Sequence, residues 1–168
     1  MKRYTLAVLV RNQFGVLNRV TSMFRRRQFN INALTVSETE SSDYSRITVL
    51  FEGEESTKNQ LVDQLYKLPD VTAIRELHGE DSVSCELLLI KMANDSQSRD
   101  EVRAAADAYG AKILDYTREA MVMQLTGDSR RIDDFINLMR DYTILEICRT
   151  GVVSLERGAD TIRKAMLL

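Results

Sequence analysis

The sequence predicts an α+β protein built from two tandem modules, each with the element order β-α-β-β-α-β. Two observations support this prediction: hydrophobic residues alternate between the two-residue period of strands and the longer period of helices, and the same series of elements occurs twice. The chain has 168 residues, enough for two modules of about 80 residues each. We therefore predict ferredoxin-like modules at residues 1–79 and 80–158, followed by a tail at residues 159–168.

The first module begins with a run of apolar and β-branched residues, which predicts a strand. A polar loop closed by Gly15 follows, and after it apolar residues recur at helical spacing. A polar turn marks a hairpin, and Pro69 ends a second helix. The predicted elements are a strand at 4–10, a helix at 16–28, hairpin strands at 34–37 and 47–51, a helix at 61–68 and a strand at 71–77.

The polar segment at residues 78–82 interrupts the apolar pattern, and the same order of elements restarts after it. The predicted elements are a strand at 85–92, a helix at 102–109 that ends at Gly110, strands at 111–116 and 120–125, a helix at 132–139 and a strand at 144–150. Helices on one face of a small sheet leave its other face and its edges uncovered, so we expect a homodimer or a larger oligomer.

The composition is typical of a globular protein. Hydrophobic residues make up 44% of the chain, and the net charge of -2 provides no global field for nucleic acid or anionic membranes. No apolar run approaches the length of about 18 residues that a membrane span needs, and no signal peptide precedes the first strand pattern. Cys85 and Cys148 lie in apolar strand patterns, which predicts buried thiols. We expect a cytoplasmic protein without nucleic-acid or membrane partners.

The sequence lacks the residue sets that most catalytic centres need. His78 is the only histidine and lies at the predicted module boundary, so a Ser-His or Cys-His pair and a two-histidine metal site are not expected. The glycines have neither the spacing of a dinucleotide-binding fingerprint nor that of a phosphate-binding loop. We expect no catalytic residue, no metal site and no cofactor in this chain.

The loop at residues 11–15 is the strongest candidate for a binding site. It leads into a helix N-terminus, where free backbone amides and the positive end of the helix dipole attract a carboxylate. Gly15 allows a close approach to the backbone, and Asn12 can both donate and accept, which suits an amino-acid zwitterion. Asn30 and Asn32 add two more amides. The alternative is structural: Gly15 shapes the turn and Asn30 ends the helix.

The equivalent loop of the second module, residues 93–98, has no glycine and carries Asp95. The negative charge of Asp95 would repel a carboxylate. The two modules have therefore diverged, and we expect only the first to bind an amino acid.

Two segments of the first module resemble a known family. They are Asn12-x-x-Gly15-Val16-Leu17-x-Arg19-Val20 and Phe29-Asn30-Ile31-Asn32-Ala33-Leu34-Thr35-Val36. Both resemble the N-terminal ACT domain of the acetolactate synthase (acetohydroxyacid synthase) small regulatory subunit family, and residues 99–102 and 151–158 are similar to later segments of that family. The resemblance covers nearly the whole chain and implies an N-terminal ACT domain followed by an ACT-like domain.

The resemblance also implies a function. Family members activate a separate catalytic large subunit and confer feedback inhibition by a branched-chain amino acid, usually valine, in the biosynthesis of valine, isoleucine and leucine. By this resemblance the effector-binding residues would be Asn12, Gly15, Val16 and Leu17, with Asn30, Ile31 and Val36 completing the pocket across an ACT dimer interface. Thiamine diphosphate, FAD and magnesium would belong to the catalytic partner.

One position departs from the family pattern. Members often have glycine just before the aromatic-Asn-Ile segment, whereas this chain has Gln28. A helix that ends there requires either a non-glycine residue in the left-handed region or a different turn.

An RNA-binding module is the alternative function, because the RNA-recognition fold has the same order of elements. Such a module displays aromatic and basic residues on the open face of its central strands, whereas residues 47–50 provide none. A small hydrolase on this scaffold would need a nucleophile or an acid-base pair that the sequence does not supply.

Overall fold

The computed structural model describes residues 2–166. The elements in chain order are β1 (Lys2–Arg11), α1 (Val16–Arg26), β2 (Ile31–Glu38), β3 (Tyr44–Gly53), α2 (Glu55–Tyr66), β4 (Val71–Leu77), β5 (Ser82–Ala93), α3 (Arg99–Tyr109), β6 (Lys112–Tyr116), β7 (Ala120–Gly127), α4 (Ser129–Met139), β8 (Ile144–Arg149), β9 (Val153–Glu156) and a short 3-10 helix (Ile162–Ala165). The predicted order β-α-β-β-α-β is thus confirmed in both halves. The strand β9 was not predicted, and the 3-10 helix lies within the predicted tail, for which the sequence leaves both a short helix and a frayed end open.

The first sheet is antiparallel, with the strand order β2-β3-β1-β4. Alternate residues of the central strand β1, among them Leu6 and Val8, point into the helix layer and are fully buried. They pack with Val20 and Phe24 of α1 and with Leu61 of α2. This cluster explains why the apolar residues of the two helices recur at helical spacing: they form the stripe that faces the sheet.

The opposite face of this sheet is covered in part by the chain itself. Ala7 and Leu9 of β1 lie on that face and are fully buried, and with Ala73 and Leu77 of β4 they contact Ile162 of the 3-10 helix. The expectation that the whole face would be uncovered is therefore wrong. The unbroken run of apolar residues in β1 shows that both of its faces are buried, but not which later segment covers the second face.

The second sheet is also antiparallel, with the strand order β6-β7-β5-β8, and β9 pairs with β5. Ile90 and Met92 of β5 and Met123 of β7 are fully buried against Phe135 and Met139 of α4. Flexible methionine side chains fill irregular core space well, which explains how several of them pack in this core.

The chain forms two compact units. The first combines the described residues up to Val83 with those from Val152 onward, and the second is Ser84–Gly151. The predicted ranges differ from these units, since residues 80–83 and 152–158 belong to the first unit. The physical reason is that the chain after β8 returns to the uncovered apolar face of the first sheet. Met1 and the last two residues of the predicted tail lie outside the described residues.

The prediction of buried thiols is wrong, because Cys85 and Cys148 are free and exposed. Cys148 pairs with Leu89, so it lies on the sheet face opposite the one that carries the buried Leu88 and Ile90. An apolar run predicts a strand, but it does not show which of the two strand faces is covered.

Residues 2–166 contain no helix that is both long and apolar enough to span a membrane.

Candidate functional site

The helix α1 begins directly after Gly15, which adopts φ 82° and ψ -4°. This left-handed conformation is accessible to glycine without the strain that a Cβ atom causes. The first intrahelical bond runs from the backbone N–H of Arg19 to the carbonyl of Gly15, at 2.9 Å. The amides of Leu17 and Asn18 precede that bond, so they have no carbonyl one turn earlier in the helix to donate to.

No side chain caps α1 and no acidic residue lies in its first turn. The other three α-helices of the described chain differ, because α2 and α3 have acidic residues in their first turns and Asp128 caps α4. The Asp128 carboxylate accepts from the backbone N–H of Arg131 at 2.8 Å. Among these four helices, α1 is therefore the one whose N-terminus has neither a capping side chain nor an acidic residue and can attract an external anion.

The loop and the first turns of α1 line a broad depression of about 820 Å³. Its lining residues are Asn12, Gln13, Phe14, Gly15, Leu17, Asn18 and Thr21. Phe14 is completely exposed, and Leu17 is 44% exposed. Exposed apolar side chains beside free amides suit a ligand that has a charged group and an aliphatic group, and they also suit a protein partner.

Asn12 makes several hydrogen bonds within the protein. Its Nδ2 donates to Glu38 Oε1 at 3.1 Å and to the carbonyl of Ser42 at 3.0 Å, and its Oδ1 accepts from Ser45 Oγ at 3.1 Å. These bonds fasten the loop to the end of β2 and to the turn between β2 and β3. Both donors of the Asn12 amide are used in this way, so the side chain has one acceptor position left for a ligand.

Asn94 has the same structural role in the second module. Its backbone N–H donates to the carbonyl of Glu119 at 2.9 Å, just as Asn12 donates to Asp43 at 2.8 Å. Its Oδ1 accepts from Arg99 Nε at 2.8 Å. The asparagine after the first strand of each module therefore positions a hairpin turn, independently of any ligand.

The other predicted site residues lie in two places, at the start of α1 and along β2. The side chain of Val16 is buried in the core, which leaves its backbone to face the loop. Asn30 is exposed before β2, Ile31 is half-buried at its start, and Val36 is 40% exposed. None of these last three residues lines the depression. Within one chain the structure thus does not bring the two predicted groups together.

The strand β2 is the edge of the first sheet and pairs only with β3 in the described chain. Its other edge therefore has no strand partner there. Such an edge is a template for pairing with another strand. The exposed Val36 lies on this strand, and the hydrogen bond between Asn12 and Glu38 connects the strand to the loop.

Sequence reasoning missed the ion pair between Arg19 and Asp70. Arg19 Nε and Nη2 both lie 2.7 Å from Asp70 Oδ2, and the Asp70 carbonyl accepts from the backbone N–H of Arg11 at 2.9 Å. Together these contacts hold the first turn of α1 to the connection between α2 and β4. The two residues are 51 positions apart, and no local pattern in the sequence connects them.

The end of α1 shows how Gln28 replaces glycine. Gln28 has φ 58°, so a non-glycine residue occupies the left-handed region, one of the two predicted outcomes. Its N–H donates to the carbonyl of Arg25 at 3.2 Å, and the N–H of Phe29 donates to that of Phe24 at 3.0 Å. These two bonds form a Schellman motif. The helix itself ends at Arg26, two residues earlier than predicted.

The RNA-binding alternative finds no support in the first sheet. The face that such a module would use is occupied by the chain itself, because Ile162 packs on it and Arg163 lies 5.6 Å from the ring centre of Tyr44. Among residues 2–166, no group of three or more histidine, cysteine, aspartate or glutamate side chains is arranged to hold a metal ion.

Two family models together match most of the chain. The model described as "AHAS small subunit-like ACT domain" matches residues 6–73, and the model described as "Small subunit of acetolactate synthase" matches residues 85–158. The two matched ranges do not overlap, and they lie in different halves of the chain.

Named relatives match over nearly their full lengths. The "Probable acetolactate synthase small subunit" of Archaeoglobus fulgidus is 42% identical over 156 residues, which cover 93% of this chain and 98% of that protein. The acetolactate synthase small subunit of Mycolicibacterium smegmatis is 40% identical over 155 residues, covering 92% and 91%. The crystal structure of the acetolactate synthase small subunit from Thermotoga maritima aligns with a TM-score of 0.87 and 32% identity, covering 95% and 100%. The chain therefore belongs to the acetolactate synthase small-subunit family, and its role is that of a regulatory subunit.

Proposed function

We propose that this chain activates the catalytic large subunit of acetolactate synthase and makes it sensitive to feedback inhibition by valine, in the biosynthesis of the branched-chain amino acids. Membership of the family supports the large subunit as partner. The observation that supports an effector site is the uncapped N-terminus of α1 after Gly15. Thiamine diphosphate, FAD and magnesium belong to the large subunit in this proposal, and both subunits are cytoplasmic.

Valine would bind with its carboxylate at the amides that follow Gly15. The helix dipole contributes about 0.3–1 kcal/mol to such an anion, in addition to the hydrogen bonds that the amides of Leu17 and Asn18 would donate, since the amide of Val16 already donates to the carbonyl of Gln13. The isopropyl group would contact the exposed side chain of Leu17. The remaining acceptor of Asn12 and the side-chain oxygen of Asn30 are suited to the ammonium group.

A homodimer of ACT domains would complete this site. Asn30, Ile31 and Val36 do not line the loop depression of their own chain, so a second copy would have to supply them. The unpaired edge of β2 and the exposed Phe14 favour association at this side of the first unit. Because the effector would lie between two copies, its binding would depend on their arrangement.

Inhibition then follows from differential binding. If valine binds one arrangement of the dimer more tightly than the other, its binding energy shifts the equilibrium between them. A coupling free energy of about 1–3 kcal/mol is typical of such regulation and corresponds to an effect of about 5–150-fold.

Calorimetric titration of valine into the isolated protein tests this proposal. Gly15→Asp places a negative charge where the carboxylate would bind, so we expect affinity to fall by about 100-fold or more, from lost amide contacts and added repulsion. Gly158→Asp is the matched control, because Gly158 is also left-handed at φ 74°, a Cβ atom there meets no heavy atom within 4 Å, and the charge change is the same. Equal valine binding by wild type and Gly15→Asp would exclude the loop as the effector site.

An assay of the reconstituted enzyme tests the regulatory role. We expect the large subunit to gain activity when this chain is added, and to lose part of that gain when valine is present. Leucine and isoleucine, each added alone, determine whether the site prefers valine. Activity that is the same with and without this chain would contradict the proposed function.

A further inference from the structure

The chain after the second unit lies on the first unit as residues 152–166, which we call the strap. Two hydrogen bonds join the strap to the hairpin formed by β2 and β3. Thr35 Oγ1 donates to the carbonyl of Val152 at 3.4 Å, and Arg46 Nη2 donates to the carbonyl of Ser154 at 2.6 Å. Both bonds lie near the start of the strap, directly after the residue that ends the second unit.

Further along, the strap is fixed by a second set of contacts. Ile162 is only 8% exposed and contacts the apolar face of β1 and β4. Arg163 Nε lies 2.8 Å from Glu40 Oε1, and its guanidinium lies over the ring of Tyr44. These contacts hold the far part of the strap on the first sheet and its hairpin turn.

Arg46 depends on the strap for its polar environment. Burial lowers the pKa of its guanidinium, and the nearby carboxylates of Glu156 and Glu40 act in the opposite direction. Glu156 belongs to the strap, as does the carbonyl that Arg46 bonds. A shift of the strap would therefore remove two stabilising interactions from a partly buried cation.

The residues that hold the strap are sequence neighbours of residues at the proposed effector site. Thr35 precedes Val36 in β2, and Arg46 follows Ser45, whose hydroxyl donates to Asn12. Adjacent residues of a strand point to opposite faces of the sheet. A movement of Val36 or of Ser45 therefore needs to pass through only one peptide unit to reach Thr35 or Arg46, which bond the strap.

We propose that the strap conveys effector binding to the second unit, and that Thr35 and Arg46 are the positioning residues that couple it to the hairpin. This inference rests on the proposed function. When valine shifts β2, the carbonyls of Val152 and Ser154 follow, and the chain connection at Gly151 passes the movement on. Regulation would then require these two bonds, whereas valine binding itself would not.

The double variant Thr35→Val with Arg46→Gln tests this coupling in the reconstituted complex. We expect it to bind valine within about 3-fold of wild type and to activate the large subunit fully, but to lose valine inhibition by about 5-fold or more. Arg46→Lys with Thr35 retained should restore part of the inhibition. Lys164→Gln is the matched control, since it removes an ion pair with Asp160 inside the strap and leaves the hairpin bonds intact.

The results of these assays distinguish a failure of the strap inference from a failure of the proposed function. If wild type is inhibited by valine and the double variant is inhibited equally, the strap inference is overturned and the proposed function stands. If wild type neither binds valine nor is inhibited by it, the proposed function fails and the inference fails with it. Amide hydrogen exchange of wild type provides a measurement that needs no variant: valine should change the exchange of residues 152–158 by about 5-fold or more, and unchanged exchange overturns the inference.

Discussion

Arg149 holds the carboxylate of Glu86 in a two-point ion pair, with Nε 2.5 Å from Oε1 and Nη2 3.1 Å from Oε2. The Glu86 side chain is only 3% exposed, and Ser129 Oγ donates to it at 3.1 Å. Arg149 Nη1 also lies 2.8 Å from Asp133 Oδ1. The hydrogen bond with Glu86 is the main cause that raises the pKa of Arg149. One guanidinium thus connects β5, β8 and α4 of the second unit.

Arg149→Met is expected to destabilise the protein by about 3 kcal/mol, because it leaves a buried carboxylate without its partner. Urea unfolding followed by circular dichroism measures the loss. The matched control is Arg130→Met, whose cation is 91% exposed and lies 4.0 Å from Asp134, and which should change stability by less than about 0.5 kcal/mol. Replacing both partners, as Glu86→Leu with Arg149→Met, should recover much of the loss, and a double variant that is as unstable as the sum of its parts would contradict this account.

Gln28→Gly is expected to stabilise the protein by about 0.5–1 kcal/mol, because it removes the strain of a side chain in the left-handed region. The reverse substitution, from glycine to glutamine, can be made at Gly110 of the same chain. Gly110 has φ 64° and ends α3 with the same pair of Schellman hydrogen bonds. A Cβ atom at position 110 would meet no heavy atom closer than 4.0 Å, so Gly110→Gln should cost about 1 kcal/mol through the backbone alone. Thermal unfolding that shifts in the same direction for both variants would refute the explanation.

Ile162→Ala is expected to destabilise the first unit by about 2–3 kcal/mol, because it removes apolar contact with Leu9 and its neighbours and leaves a cavity. Leu155→Ala is the control on the same segment, since Leu155 is 62% exposed and its loss should cost less than about 0.5 kcal/mol. Hydrogen exchange of β1 and β4 locates the effect. Equal stability of the two variants would mean that the 3-10 helix does not protect the sheet.

Most of the fold could be predicted because its elements are long and periodic. In α1, for example, Val16, Val20 and Phe24 form one buried stripe, and the sequence shows it by spacing alone. The strand β9 and the 3-10 helix have four residues each and no period of their own, so their structure depends on distant contacts. For this reason, residues 152–166 were not assigned to the first unit from the sequence.

The candidate site could be predicted only in part. The uncapped helix after Gly15 follows from local chemistry, since neither a capping side chain nor an acidic first turn is present in the sequence. The partners of Asn12 could not be predicted, because Glu38 is 26 residues away and Ser45 is 33 residues away. An asparagine in a loop suits ligand binding and turn formation equally well, and only its hydrogen bonds distinguish the two.

The order of synthesis on the ribosome gives the strap a further consequence. Domains generally fold as they leave the ribosome, with the N-terminal one first. Here the ACT domain emerges first, yet Ala7 and Leu9 stay without the cover of Ile162 until residues 152–166 have been added. The domain that is translated first is therefore completed last, after the second unit has already been made.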